Sequence, residues 1–197
     1  MLLMELMGTE PLGLLNLLKN IMRRFKKLEI ENLKEIFEWR NHPSVRLSMF
    51  KQNKIKWEEH LNWFEKRSNQ EEIYDLLYLE SNQNIGFMSF DCSFDNNSCE
   101  WGFYLNPFIK HGMGLNLGYD AIEYCFKNLS VEKIIGNVLS SNKKSKKFHE
   151  KLGFSFIDET QISNCYGKSE TKYTYSLSRN DWMKSRLGIK MKINYEN

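Results

Sequence analysis

Gly102-Phe103-Tyr104-Leu105-Asn106-Pro107-Phe108-Ile109-Lys110-His111-Gly112-Met113-Gly114 is the stretch on which the reading of this chain turns. Before it, Cys99, Trp101, Phe103 and Leu105 alternate with Glu100, Gly102 and Tyr104, the period of a strand. After it, Leu115, Gly118, Ala121, Ile122, Cys125, Phe126 and Leu129 recur at helical spacing. Between strand and helix stand two glycines one residue apart. Such a turn can curl tightly and aim several free N–H groups at one point, which suits phosphate. A phosphorylated cofactor is expected there.

Working outward, the preceding segments read as strands. Tyr74 to Glu80 is rich in strand formers, Ile85 to Cys92 alternates, and Asp95-Asn96-Asn97 reads as a turn, together predicting an antiparallel meander. Phe25 to Ile30 predicts a first strand. Asn32 is placed to cap a helix with Leu33, Ile36 and Phe37 on one face, ending near Trp39-Arg40-Asn41-His42-Pro43, where proline disfavours helical geometry before it. A second helix is expected from Lys56 to Arg67, with Trp57, Leu61 and Phe64 inward and His60 and Trp63 near its edges. Downstream, Val131 to Leu139 reads as a buried strand and Asn142 to Leu152 as a helix stopped by Gly153. Ser155 to Asp158 and Tyr173 to Ser178 complete the strands.

Length and composition narrow the class. At 197 residues and 41% hydrophobic, the chain has material for one well-buried core. A balance of 28 basic against 25 acidic residues, net +3, gives no case for nucleic acid or an anionic membrane as principal partner. Cys92, Cys99, Cys125 and Cys165 show neither metal spacing nor disulfide density, so reduced cytoplasmic thiols and no structural metal are expected. Met1 to Met22 is rich in Leu and Met, but Glu5, Glu10, Pro11 and Lys19 interrupt it, which argues against a membrane span or a signal peptide. Residues 1–23 read either as an arm or as an extension upstream of a working start at Met22.

The strand ending in Gly102-Phe103-Tyr104-Leu105-Asn106-Pro107, the Gly112-Met113-Gly114 loop, and Asn142 followed by Phe148-His149-Glu150-Lys151-Leu152-Gly153-Phe154 together resemble the GNAT superfamily of acyl-CoA N-acyltransferases. The resemblance implies an α/β (α+β) fold: a mixed, twisted central sheet flanked by helices, with two strands splayed to admit acetyl-CoA. It places that domain at 24–180, with 181–197 as a C-terminal tail. It implies that Phe103, Tyr104 and Leu105 line the pantetheine, that Lys110, His111, Gly112, Met113, Gly114 and Leu115 wrap the diphosphate, and that Asn142 and Phe148 complete the cofactor site. The superfamily usually carries Arg or Gln at the position of Ile109, and Lys110 can supply that charge. The lysines at 143, 144, 146, 147 and 151 either draw in the coenzyme phosphates or form a solvated helix face. A Rossmann site is the rival for these glycines, but it needs a βαβ unit opening directly from the strand, and here Pro107 and several loop residues intervene.

Trp39-Arg40-Asn41-His42-Pro43, Met49-Phe50, His60-Leu61-Asn62-Trp63 and Tyr104-Leu105-Asn106-Pro107-Phe108 look like the nucleotide-sugar N-acetyltransferases of pseudaminic acid biosynthesis, which supply flagellin glycosylation. That resemblance implies that Arg40 and His60 contact a nucleotide diphosphate, while Met49, Phe50, Trp63 and Tyr104 wall a deoxy-sugar pocket. A UDP-aminodeoxy sugar is then the acceptor, and a homodimer is compatible with the sequence. Guanidinium forks phosphate oxygens, and a 6-deoxy sugar carries a methyl group that wants apolar surface. Where the superfamily carries an acidic tyrosine, this chain has His149, read either as the general acid or as an inward packing histidine. Glu100 is read as a base acting through water or as a structural carboxylate. A protein amino terminus as acceptor, or acyl-CoA binding without catalysis, stay open as alternatives.

Overall fold

Seven strands form one sheet: β1 (Arg24–Lys27), β2 (Ile73–Glu80), β3 (Gln83–Asp95), β4 (Ser98–Leu105), β5 (Lys133–Leu139), β6 (Ser155–Ser163) and β7 (Ser169–Ser178), in spatial order β1-β2-β3-β4-β5-β7-β6. The computed structural model describes residues 23–95, 97–109, 112–163, 167 and 169–196. β2 to β4 form the expected antiparallel meander, β1 adds to β2 antiparallel, and β4 and β5 run parallel to each other. A mixed sheet of this order replaces the all-parallel arrangement that a Rossmann site requires.

The helices are α1 (Leu33–Asn41), a four-residue α2 (Pro43–Arg46), α3 (Trp57–Ser68), α4 (Met113–Asn128), α5 (Lys143–Lys151) and α6 (Arg179–Glu196). Period-two alternation along β2 sends Leu77 and Leu79 to a smaller core with Leu33, Ile36 and Trp39 of α1, and Leu76 and Tyr78 to a larger core shared with α4 and α6. Both faces of the sheet are therefore covered.

Several boundaries differ from the sequence reading. The first strand stops at Lys27, and Ile30–Asn32 is a 3-10 turn. Asn32 precedes α1 without capping it through its side chain. The expected tail is a helix instead: Trp182, Ile189 and Ile193 of α6 are buried against the larger core. No single period marked it, because Met183, Leu187 and Met191 leave apolar residues on its outer side as well.

Candidate active site

β4 and β5 pair only from Ser98↔Lys133 to Trp101↔Gly136. Beyond that point β4 continues to Leu105 against β3, while β5 continues to Leu139 against β7. The two strands part, leaving a V open at the ends of Leu105 and Leu139. The Asn106 N–H bonds the Ile85 carbonyl on β3 at 2.9 Å. Because successive residues of a strand aim their amides to opposite sides, those of Phe103 and Leu105 face the gap and that of Tyr104 faces β3. Nothing in β5 takes up these groups, so the gap is lined with backbone able to pair with an amide-bearing ligand.

Gly136 stands at the vertex. A Cβ there would lie 2.4 Å from His149 Nε2 and 2.8 Å from Trp101 Nε1, so only glycine fits beneath this pair. The Nδ1 of His149 lies 2.7 Å from the Ser145 carbonyl, and its Nε2 lies 3.1 Å from the indole N–H of Trp101. A carbonyl can only accept and an indole N–H can only donate, so the ring is the neutral tautomer protonated at Nδ1. Burial lowers its pKa to about 4, and only the Ser145 carbonyl opposes this. His149 was read either as a general acid or as an inward packing histidine. In this geometry its one proton is bound to a carbonyl, and taking a second at Nε2 would break the bond to Trp101.

The turn ahead of α4 suits an anion. Gly112 has φ 110°, a left-handed conformation that favours glycine, and no side chain caps the helix it opens. A Cβ on Gly114 would approach Leu105 Cδ1 at 3.7 Å, which keeps the turn close to the end of β4. Met113 and Leu115 are half-buried against the larger core. Lys110 and His111 lie outside the described residues. On the far side, Asn142 Oδ1 caps α5 by accepting from the Ser145 N–H at 3.0 Å, and Phe148 packs on Phe103 at 4.7 Å between ring centroids. A gap with free backbone groups, closed at one end by an uncapped helix start, fits the pantetheine arm and diphosphate of a coenzyme A thioester.

Residues 23–155 match the Acetyltransferase (GNAT) domain family. The chain belongs to the GNAT acetyltransferases. As a GNAT enzyme it uses acetyl-CoA to acetylate an amine. It is 33% identical over 138 residues to acetyltransferase PseH of Campylobacter jejuni subsp. jejuni serotype O:23/36, covering 70% of this chain and 86% of that protein. The crystal structure of Campylobacter jejuni PseH in complex with acetyl coenzyme A superposes with TM-score 0.61 at 25% identity, over 80% of this chain and 99% of that one. A Vibrio cholerae spermidine N-acetyltransferase in complex with CoA and spermine reaches TM-score 0.74 over 82% of this chain and 98% of that one; at 17% identity it attests the GNAT fold alone.

The other wall of the GNAT gap comes from α1, α3 and the segment 47–56. Arg40 donates to the Lys51 carbonyl at 2.7 Å, Arg46 to the Gln52 carbonyl at 2.9 Å, and Asn41 exchanges two hydrogen bonds with the Ile55 backbone at 2.9 and 3.1 Å. These bonds fix the loop that carries Met49, half-buried, and Phe50, 39% exposed. Burial lowers the Arg40 pKa, an effect that nearby Tyr104 and Glu59 oppose, and its Nη1 is buried without a hydrogen-bond partner. Tyr104 packs on Phe87 at 5.1 Å, Phe87 meets Trp63 at 5.9 Å, and burial pushes the Tyr104 phenol well up. Glu100 lies on the same strand face as Tyr104 but is exposed at the closed end of the V.

His60 does not fit its expected place on a diphosphate. It is 3% exposed, stacks on Trp63 at 5.1 Å and 11°, and touches the Phe37 and Trp57 rings. It is the inward residue of α3, while Trp57, expected inward, is 38% exposed. Sequence reading also missed Asn41, Arg46, Trp101 and Gly136. Only Gly136 carried a local signal, a glycine inside a strand.

Proposed function

We propose that this GNAT enzyme acetylates the 4-amino group of a UDP-linked 4-amino-4,6-dideoxy sugar, as in pseudaminic acid biosynthesis. The observation that carries the reading is Arg40. A guanidinium that keeps its charge at any physiological pH stands half-buried beside Tyr104, with one nitrogen spent on the loop and Nη1 left without a partner. Leaving a buried charged donor unmade is costly, and a diphosphate oxygen would satisfy it. Met49, Phe50, Trp63 and Tyr104 give the deoxy sugar an apolar and aromatic setting. The likeness to PseH supports the same acceptor class.

Bound coenzyme supplies the thioester and the acetyl group. The chain contributes orientation and charge. The Phe103 and Leu105 amides, aimed into the gap, can hold the thioester carbonyl and the charge it develops. Gly112, Met113, Gly114 and Leu115 hold the diphosphate through backbone N–H groups, and Lys110 and His111, which precede them in the chain, add to the same contact. Asn142 and Phe148 close the far side. The departing thiolate takes its proton from water or from the incoming amine, since the one proton of neutral His149 is held by the Ser145 carbonyl. Glu100, exposed at the closed end of the V, takes no part in this transfer.

Thiol release measured with acetyl-CoA and a panel of amines tests this. Turnover with UDP-4-amino-4,6-dideoxy sugars and none with peptide amino termini is the expected result. Turnover with peptides alone would move the acceptor to a protein amino terminus, and acetyl-CoA binding without any turnover would make the chain a binding module.

A further inference from the structure

The outer face of α6 has no cover among the described residues. Met183, Leu187 and Met191, spaced four apart, are 54%, 71% and 60% exposed, while Trp182, Ile189 and Ile193 bury the opposite face. On a helix this spacing makes one continuous stripe, about 12 Å long at 1.5 Å per residue. Three large apolar side chains in a row differ from the scattered exposed hydrophobics of an ordinary surface.

The described chain begins beside that stripe. Arg23 Nε lies 3.2 Å from Asp120 Oδ2, and Lys190 Nζ of α6 lies 3.9 Å from Asp120 Oδ1. Lys190 also sits over the Tyr119 ring at 4.4 Å. In helical projection Lys190 falls between the buried face and the stripe, so Arg23 is tied to the stripe's flank. The 22 residues that precede Arg23 hold eight Leu, four Met and one Ile. Five of these, Leu12, Leu14, Leu15, Leu17 and Leu18, form the densest apolar block nearest Arg23. The stretch from Leu18 to Arg23 reaches up to about 16 Å when extended, enough to bring that block onto a stripe of this length.

We infer that residues 12–18 of the same chain cover Met183, Leu187 and Met191. The exposed face of α6 is then the docking surface of the chain's own amino-terminal segment, fastened at its root by the Arg23–Asp120–Lys190 cluster. This inference concerns the face of α6 and stands apart from the acceptor assignment.

The full-length protein carrying benzoylphenylalanine in place of Leu187 is the direct probe. Irradiation should join it to peptides of residues 12–22 within one copy. Cross-links only between two copies would make the stripe a dimer face and overturn the inference, as would labelling of phosphatidylcholine and phosphatidylglycerol vesicles alone, or no cross-link at all. Thermal melts give an independent reading. Met183→Lys, Leu187→Lys and Met191→Lys together should lower the Tm of the full-length chain by roughly 5 °C and leave a chain starting at Arg23 unchanged. An equal shift in both chains overturns the proposal. So does a native protein whose mass corresponds to a start at Met22.

Discussion

The two walls of the gap differ in how completely they satisfy their own polar groups. On the coenzyme side, both nitrogens of His149 are bonded and Asn142 Oδ1 caps α5. On the acceptor side, Arg40 Nη1 and Arg46 Nε, beside the loop 47–56, are buried without a partner among the described residues. Burying polar atoms without partners costs free energy, which a ligand or water bound on that side would offset. The coenzyme wall reads as a fixed scaffold whose ligand contacts are backbone. The acceptor wall is held by loop-to-helix bonds and keeps hydrogen-bonding capacity free.

The contrast can be broken at its strongest point first. Gly136→Val forces a side chain into the space of His149 Nε2 and Trp101 Nε1, which sit 2.4 and 2.8 Å from an ideal Cβ. Overpacking of this kind costs about 3 kcal/mol or more, and the expected outcome is a large fall in melting temperature or failure to accumulate folded protein. A melt indistinguishable from the parent would mean the vertex is loose.

Acidification comes next. The folded-state pKa of His149, about 4, lies below its unfolded value near 6.5. The unfolded chain therefore binds the proton first: the stabilising contribution is whole above about pH 6.5, declines as pH falls, and is gone near pH 4. The size is about 3 kcal/mol for this one group. His60, whose pKa burial also lowers, acts in the same direction. Urea unfolding between pH 7 and 4 measures it, and His149→Gln should flatten much of the slope while leaving the alkaline limb of kcat in place. Loss of that limb in the variant would restore His149 as an acid.

Arg40→Ala separates the two walls functionally. Removing a charge-assisted contact of about 2 kcal/mol should raise the acceptor KM by roughly 30-fold and leave acetyl-CoA affinity within twofold. Equal damage to both affinities would contradict the division drawn above. Asn41→Ala gives the smallest effect: it frees Ile55 of two hydrogen bonds, costs about 1 kcal/mol, and should alter acceptor KM by only a few-fold.

Much of the fold was legible because it rests on local rules. Alternation in β2, β3 and β4, the Gly112-Met113-Gly114 turn and the Gly153 stop, which has φ 84°, are each written in a few adjacent residues. The turn ahead of α4 was legible for the same reason, since the positive φ of Gly112 is a demand on a single residue.

The roles of the histidines were not legible locally. His60 and His149 both fall on amphipathic helices in motifs that look functional, yet each packs on rings from other segments: Phe37 of α1 for one, Trp101 and Tyr175 for the other. Which nitrogen carries the proton, and whether a donor is free, depends on partners brought from up to 48 residues away. The sequence by itself determined the strands, the glycine turn after β4 and the family, through periodicity and glycine placement along the chain. Only the tertiary structure decided that His149 is buried with both ring nitrogens bonded and that Arg40 Nη1 is left without a partner, because desolvation and hydrogen-bond satisfaction are properties of packed neighbours and not of spacing.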